Sequence, residues 1–151
     1  MIVQEAMTKD PITINADESV TVAAKLMRDK SVGSLIVVHE DQVLGIVTER
    51  DLVHRVLASM RNPNTVFMTD VMTTPVVTIS QREDVASAAK LMKEKEIRRL
   101  VVMNQQELVG VLTTNDLTRN LMQVVEEFAT MLFIMERRTD YDREMIHRVT
   151  R

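Results

Sequence analysis

Residues 13–52, TINADESVTVAAKLMRDKSVGSLIVVHEDQVLGIVTERDL, recur 65 positions later as residues 78–117, TISQREDVASAAKLMKEKEIRRLVVMNQQELVGVLTTNDL, with no gap and 16 identities in 40 pairs. Ala23-Ala-Lys-Leu-Met27 lies on Ala88-Ala-Lys-Leu-Met92, Gly45 on Gly110, Thr48 on Thr113 and Asp51 on Asp116. Self-similarity at a fixed offset means one structural unit used twice. Each copy reads alike. Pro11 or Pro75 precedes a β-branched stretch, Ile12–Ile14 or Val76–Ile79, expected as a strand because proline disfavours helix before it. Asn15-Ala-Asp-Glu18 and Ser80-Gln-Arg-Glu83 have capping-box spacing, predicting helices with apolar positions Val20, Ala23, Met27 and Val85, Ala88, Met92. The apolar runs Leu35–Val38 and Val43–Val47, joined by polar His39–Gln42, predict a hairpin with strands buried on both faces. Thr48 and Thr113 are expected to cap a second helix.

The unit is therefore β-α-β-β-α and about 50 residues long, too small to bury a comfortable core alone. Two copies are expected to pack face to face around a pseudo-two-fold axis, giving an α/β (α+β) fold. The predicted divisions are residues 1–60, residues 61–120 and a C-terminal helical extension, 121–151. Turn formers in Ser59–Thr65 mark the short join. After Asp116, Leu117, Leu121, Val124, Phe128, Met131 and Met135 are spaced 4, 3, 4, 3, 4, a heptad seam broadened by Val125 and Leu132. One helix to about Arg138 is predicted, with a short second helix over residues 139–151. The apolar stripe predicts a homodimer in which this helix takes part, because soluble monomers rarely leave such a patch in water.

Composition excludes several functions. The chain has 151 residues, net charge −3 and dispersed Lys and Arg, without the basic patch of a nucleic-acid binder. Aromatic residues make up 3% with no Trp, so a stacking platform for single strands is missing too. The absence of Cys removes thiolate chemistry and Cys-based metal sites and suits a reducing compartment, expected to be the cytoplasm. His39, His54 and His147 lack metal-ligand spacing, and no metal site is predicted. No apolar run is long enough to span a membrane, and the N-terminus lacks a signal-peptide pattern. The 12 Met residues read as gap-filling core, as at Met27, Met92 and Met103. No Ser/His/Asp order or Gly-rich phosphate loop is present, so the chain is expected not to be an enzyme and to require no cofactor.

Gly45-Ile-Val-Thr-Glu-Arg-Asp51 and Gly110-Val-Leu-Thr-Thr-Asn-Asp116 carry the chemistry that remains. A helix N-terminus with a Thr hydroxyl suits a phosphate, and Asp51 or Asp116 one turn in can accept both hydroxyls of a ribose. The same Thr-x-x-Asp spacing is also a capping box.

Met-Thr-x-x-Pro before a strand, an Ala-Ala-x-x-Met helix, an apolar hairpin and Gly-h-h-Thr-x-x-Asp, in that order and twice, resemble the cystathionine-β-synthase (CBS) domain. The resemblance covers residues 7 to about 120 and is to the tandem pair called a Bateman module, expected here to be standalone, without an attached catalytic domain. It implies a ligand in the clefts between the copies. One cleft would use Thr13, Val32 and Gly33 around the base with Thr113, Asn115 and Asp116 at ribose and phosphates. The other would use Thr78 and Ile97 with Thr48, Arg50 and Asp51. Basic residues at the place of Arg98 and Arg99 grip phosphates in related proteins, and the first copy has Gly33-Ser34 there. The clefts should therefore be unequal, with the one containing Arg98, Arg99, Thr113 and Asp116 the tighter. The implied function is a non-catalytic, energy-sensing regulatory module that binds AMP, ADP, ATP or another adenosyl ligand and alters dimer geometry or a protein partner. The alternative is a dimerising interaction module with an empty cleft.

Overall fold

The computed structural model describes residues 1–149. The chain divides after Thr113 into two compact units, the second beginning at Thr114. The first unit holds, in order, α1 (Val3–Ala6), β1 (Thr8–Lys9), β2 (Thr13–Asn15), α2 (Val20–Lys30), β3 (Ser34–His39), β4 (Gln42–Thr48) and α3 (Glu49–Leu52). A π-helical turn, Val53–Leu57, continues α3. Then come α4 (Met68–Val71), β5 (Thr78–Ser80), α5 (Val85–Lys95), β6 (Arg99–Asn104) and β7 (Glu107–Thr113). The second unit is α6 (Thr114–Val149). No helix among the described residues is long and apolar enough to cross a membrane.

The duplicated β-α-β-β pattern is present in both copies, with each short strand parallel to the first hairpin strand and each hairpin antiparallel. Both hairpins carry a bulge at equivalent places, Val37/Val38 and Val102/Met103. The first hairpin turns on Glu40 and Asp41, with φ of 48° and 61°. Positive φ at both central residues matches the right-handed twist of the flanking strands, which explains the tight two-residue connection. Burial of the first hairpin strand on both faces holds: Leu35, Ile36 and Val37 are all essentially inaccessible.

The helix starts differ from the expectation. Asn15 and Ser80 accept hydrogen bonds from Asp17 N and Arg82 N, two residues on, so they close local turns rather than open helices. The caps are Ser19, accepting from Val22 N at 3.3 Å, and Asp84, accepting from Ser87 N at 2.6 Å. A side chain spent on its own turn is unavailable to a helix, and the next suitable oxygen takes over. Both helices end on a residue in the left-handed region, Ser31 and Glu96.

Each copy is completed by a segment of the other. Val3 N donates to Glu83 O at 2.8 Å, and β1 pairs antiparallel with β7, so the four-stranded sheet runs β1-β7-β6-β5. Reciprocally, Thr73 N donates to Ile46 O at 2.8 Å on the sheet β2-β3-β4. The core of the first copy, with Ala23, Met27, Leu35, Val37 and Val47, includes Val66, Met68 and Val71 from the start of the second. Ile36, Val101 and Val111 cluster with Val38, Val76 and Met103 where the two sheets meet.

Two glycines make the crossing feasible. A Cβ on Gly45 would lie 2.7 Å from Met72 Sδ and 2.9 Å from Thr73 O. One on Gly110 would lie 2.5 Å from Met7 Sδ and 2.8 Å from Thr8 O. The repeated Met-Thr and the repeated Gly are thus one device, each Met-Thr seated on the other copy's glycine.

The second unit corrects the tail. In place of a helix to about Arg138 and a short second helix, one helix runs unbroken to Val149. Residues 150 and 151 lie outside the described residues. Leu121, Val124, Phe128, Met131, Leu132 and Met135 are all solvent-exposed.

Candidate ligand site

The end of the first hairpin positions the first group of predicted residues. Ser34 pairs with Thr48 across the strands, and Glu49 N donates to Gly33 O at 3.0 Å, which ties the first residue of α3 to the residue before β3. Thr48 and Asp51 form a reciprocal capping box: Asp51 N donates to Thr48 Oγ1 at 3.2 Å, and Thr48 N donates to Asp51 Oδ2 at 2.9 Å. The other carboxylate oxygen lies 3.8 Å from Arg55 Nη2. Arg55 is itself committed, donating from Nη1 to Val71 O at 2.8 Å and to Met72 O at 3.2 Å. The capping reading of Thr-x-x-Asp is therefore realised in the first copy. A carboxylate has about four acceptor positions, so half-buried Asp51 keeps capacity for further donors.

Across the copies, Arg99 comes to Gly33. A Cβ on Gly33 would lie 3.6 Å from Glu49 Oε2 and 3.8 Å from Arg99 Nη2. Arg99 opens β6, opposite Thr113, and is half-buried, whereas Arg98 is exposed. Of the pair picked out by charge, Arg99 is the one drawn to the other copy. Val32 and Ile97 occupy equivalent places, each donating its N–H to the last turn of the preceding helix, at Met27 O and Met92 O. Thr13 and Thr78 start the short strands and are exposed, as is Arg50.

Asn115 and Asp116 belong to the second unit, in the first turn of α6. Asn115 is exposed, while Asp116 is 3% exposed and lies 3.6 Å from Arg119 Nη1.

Three residues stand outside the set expected from the sequence. Glu49 reads there only as part of a helix start, although its counterpart Thr114 is uncharged and the difference is visible. Met7 and Met72 align with each other, and nothing in that alignment shows that each serves the opposite copy. A cavity of about 600 Å³ lies elsewhere, lined by Gln4, Met7, Lys9, Gln81, Glu107 and Leu108 among others, and shares no residue with the predicted ligand set.

Comparison with known proteins agrees with this architecture. The family model for the CBS domain matches residues 3–58 and again residues 68–123. An uncharacterised protein of Methanopyrus kandleri is 37% identical over 130 residues, spanning 83% of this chain and 66% of that protein. A hexameric CBS-CP12 protein from bloom-forming cyanobacteria superposes with a TM-score of 0.72 at 34% identity, covering 78% of this chain and 70% of the other. A protein with CBS domains from Burkholderia ambifaria gives 0.74 at 28% identity, covering 80% and 91%.

Proposed function

Since the chain belongs to the CBS-domain family and carries two copies of that domain, we propose that it is a non-catalytic regulatory module. Its ligand is an adenosine-containing molecule, AMP, ADP or ATP, taken up between the repeats. Binding is read out as a change in dimer geometry or in the activity of a protein partner. The observation that carries this reading is the approach of Arg99, from the second copy, to Gly33 of the first. A guanidinium offers a rigid fork of donors that matches phosphate oxygens, and the missing side chain at Gly33 leaves it room to be met. Thr48 and Asp51 supply a hydroxyl and a carboxylate at the strand end next to Gly33, so Arg99 and Gly33 are assigned in this proposal to the cleft of Thr78, Ile97, Thr48, Arg50 and Asp51, whereas the resemblance alone grouped them with Thr113 and Asp116. The repeat gives Asp116 the role of Asp51, and Thr13, Val32, Thr113 and Asn115 the corresponding roles. A cysteine-free chain suits a reducing compartment, and the cytoplasm is proposed.

A thermal-shift panel of adenine nucleotides, S-adenosylmethionine and NADH on nucleotide-stripped protein tests the reading. A ligand at 100 times its dissociation constant should stabilise by about 2.7 kcal/mol. Calorimetry with 2′-deoxy-AMP tests the aspartates: losing one hydroxyl leaves a desolvated carboxylate short of a donor, and affinity should fall by about 1–3 kcal/mol. Equal affinity for AMP and its deoxy analogue would leave Asp51 and Asp116 as caps alone. The second reading, an interaction module with an empty cleft, is favoured by the exposed apolar stripe of α6. Silence across the whole ligand panel would select it.

A further inference from the structure

Gly33 is flanked by two opposite charges that do not meet. Glu49 Oε2 is 3.6 Å and Arg99 Nη2 is 3.8 Å from the position its Cβ would take. No ion pair within 4 Å joins them, and neither side chain has any other hydrogen-bonding or charged partner among the described residues. Glu49 is held at its backbone by the bond to Gly33 O, and Arg99 by its place in β6. An anion that reaches Arg99 through the opening at Gly33 therefore arrives beside a carboxylate.

We propose that Glu49 is a specificity-determining residue that favours a ligand with one phosphate over a ligand with three, resting on the nucleotide reading above. A single phosphate can sit on the guanidinium side of Gly33 and keep its charge away from Glu49. Each added phosphate brings another negative charge near the Glu49 carboxylate, where repulsion grows as the separation falls. Glu49 is exposed, so water and salt screen its charge and the penalty discriminates rather than excludes. The second copy has Thr114 at the equivalent position, so this brake is built into one repeat only.

Glu49 at the first position of α3 also suits the helix dipole, and a merely structural acid would show itself as a stability change alone. Glu49→Gln keeps the shape and removes the charge. Titration calorimetry of the full chain and of Glu49→Gln, each with AMP and with ATP, gives four affinities. The expected result is a gain for ATP over AMP in the variant of roughly threefold to tenfold, shrinking as salt is raised. If both nucleotides bind the wild type and the ratio is unchanged in Glu49→Gln, this inference falls while the nucleotide reading stands. If neither nucleotide binds the wild type, the nucleotide reading fails and the inference with it.

Discussion

Gly45 and Gly110 hold their places because of what lies on them rather than because of their backbone angles, since neither has positive φ. Atoms 2.5–2.9 Å from the missing Cβ include a main-chain oxygen in each case, which cannot rotate away. Gly45→Ala and Gly110→Ala should each destabilise by about 1–3 kcal/mol in urea unfolding, the usual cost of overpacking. Gly33 meets only ordinary van der Waals contacts, and Gly33→Ala should be neutral or stabilise by about 0.4–1 kcal/mol through the unfolded chain. Asp84 carries a pH signature at the same scale. The Ser87 amide and hydroxyl hold its carboxyl below the ordinary value. The stability it contributes is therefore full above the ordinary carboxylate range and is lost as pH falls through the lowered value. Asp84→Asn, which still caps, should lose less stability than the wild type between pH 7 and about pH 3. That Gly45 and Gly110 matter is legible from their recurrence, but their partners are not, because Met72 and Met7 are 27 and 103 residues away in sequence.

Among the elements, the helices show how far periodicity carries. The apolar spacing of α2 and α5 is enough to pick out the buried positions Val20, Ala23, Met27, Ala88 and Met92. It does not locate where the helices begin, because Asn15 and Ser80 have a competing local turn available. In α6 the heptads locate the stripe, yet the stop expected near Arg138 is absent: no glycine or proline interrupts residues 114–149, and nothing local breaks the helix. The exposed stripe is the basis for the proposed homodimer. Light scattering should give a dimer for the full chain and a weaker one for a chain ended near Asn120. Phe128→Glu combined with Leu132→Glu should lower the assembled fraction without moving the unfolding of residues 1–113. A monomeric wild type would end the proposal.

At the scale of the first unit, the exchange of segments makes the repeats one cooperative body. Residues 1–60 lack Val66, Met68 and Val71, which fill the core beside Leu35 and Val47. Burying an aliphatic side chain of this kind contributes about 1.5–3 kcal/mol, so the isolated first copy should be unfolded by circular dichroism, while residues 1–120 melt in a single transition. The amino-acid sequence by itself determined the duplication, the order of elements in each copy, the two-sided burial of the first strand of each hairpin and the family resemblance, while the return strand of the first hairpin is only half-buried at Val43, Leu44 and Ile46. All of these are written in patterns that repeat within a few residues or at one fixed offset. Only the tertiary structure decided that Met7 sits on Gly110 and Met72 on Gly45, that Arg99 rather than Arg98 turns to Gly33, and that Glu49 stands opposite it. Those pairings are set by the packing of two sheets and by which side chain fits an opening of a few ångströms. Two copies of nearly the same unit can meet in more than one register, and no local pattern records which one buries its surface best.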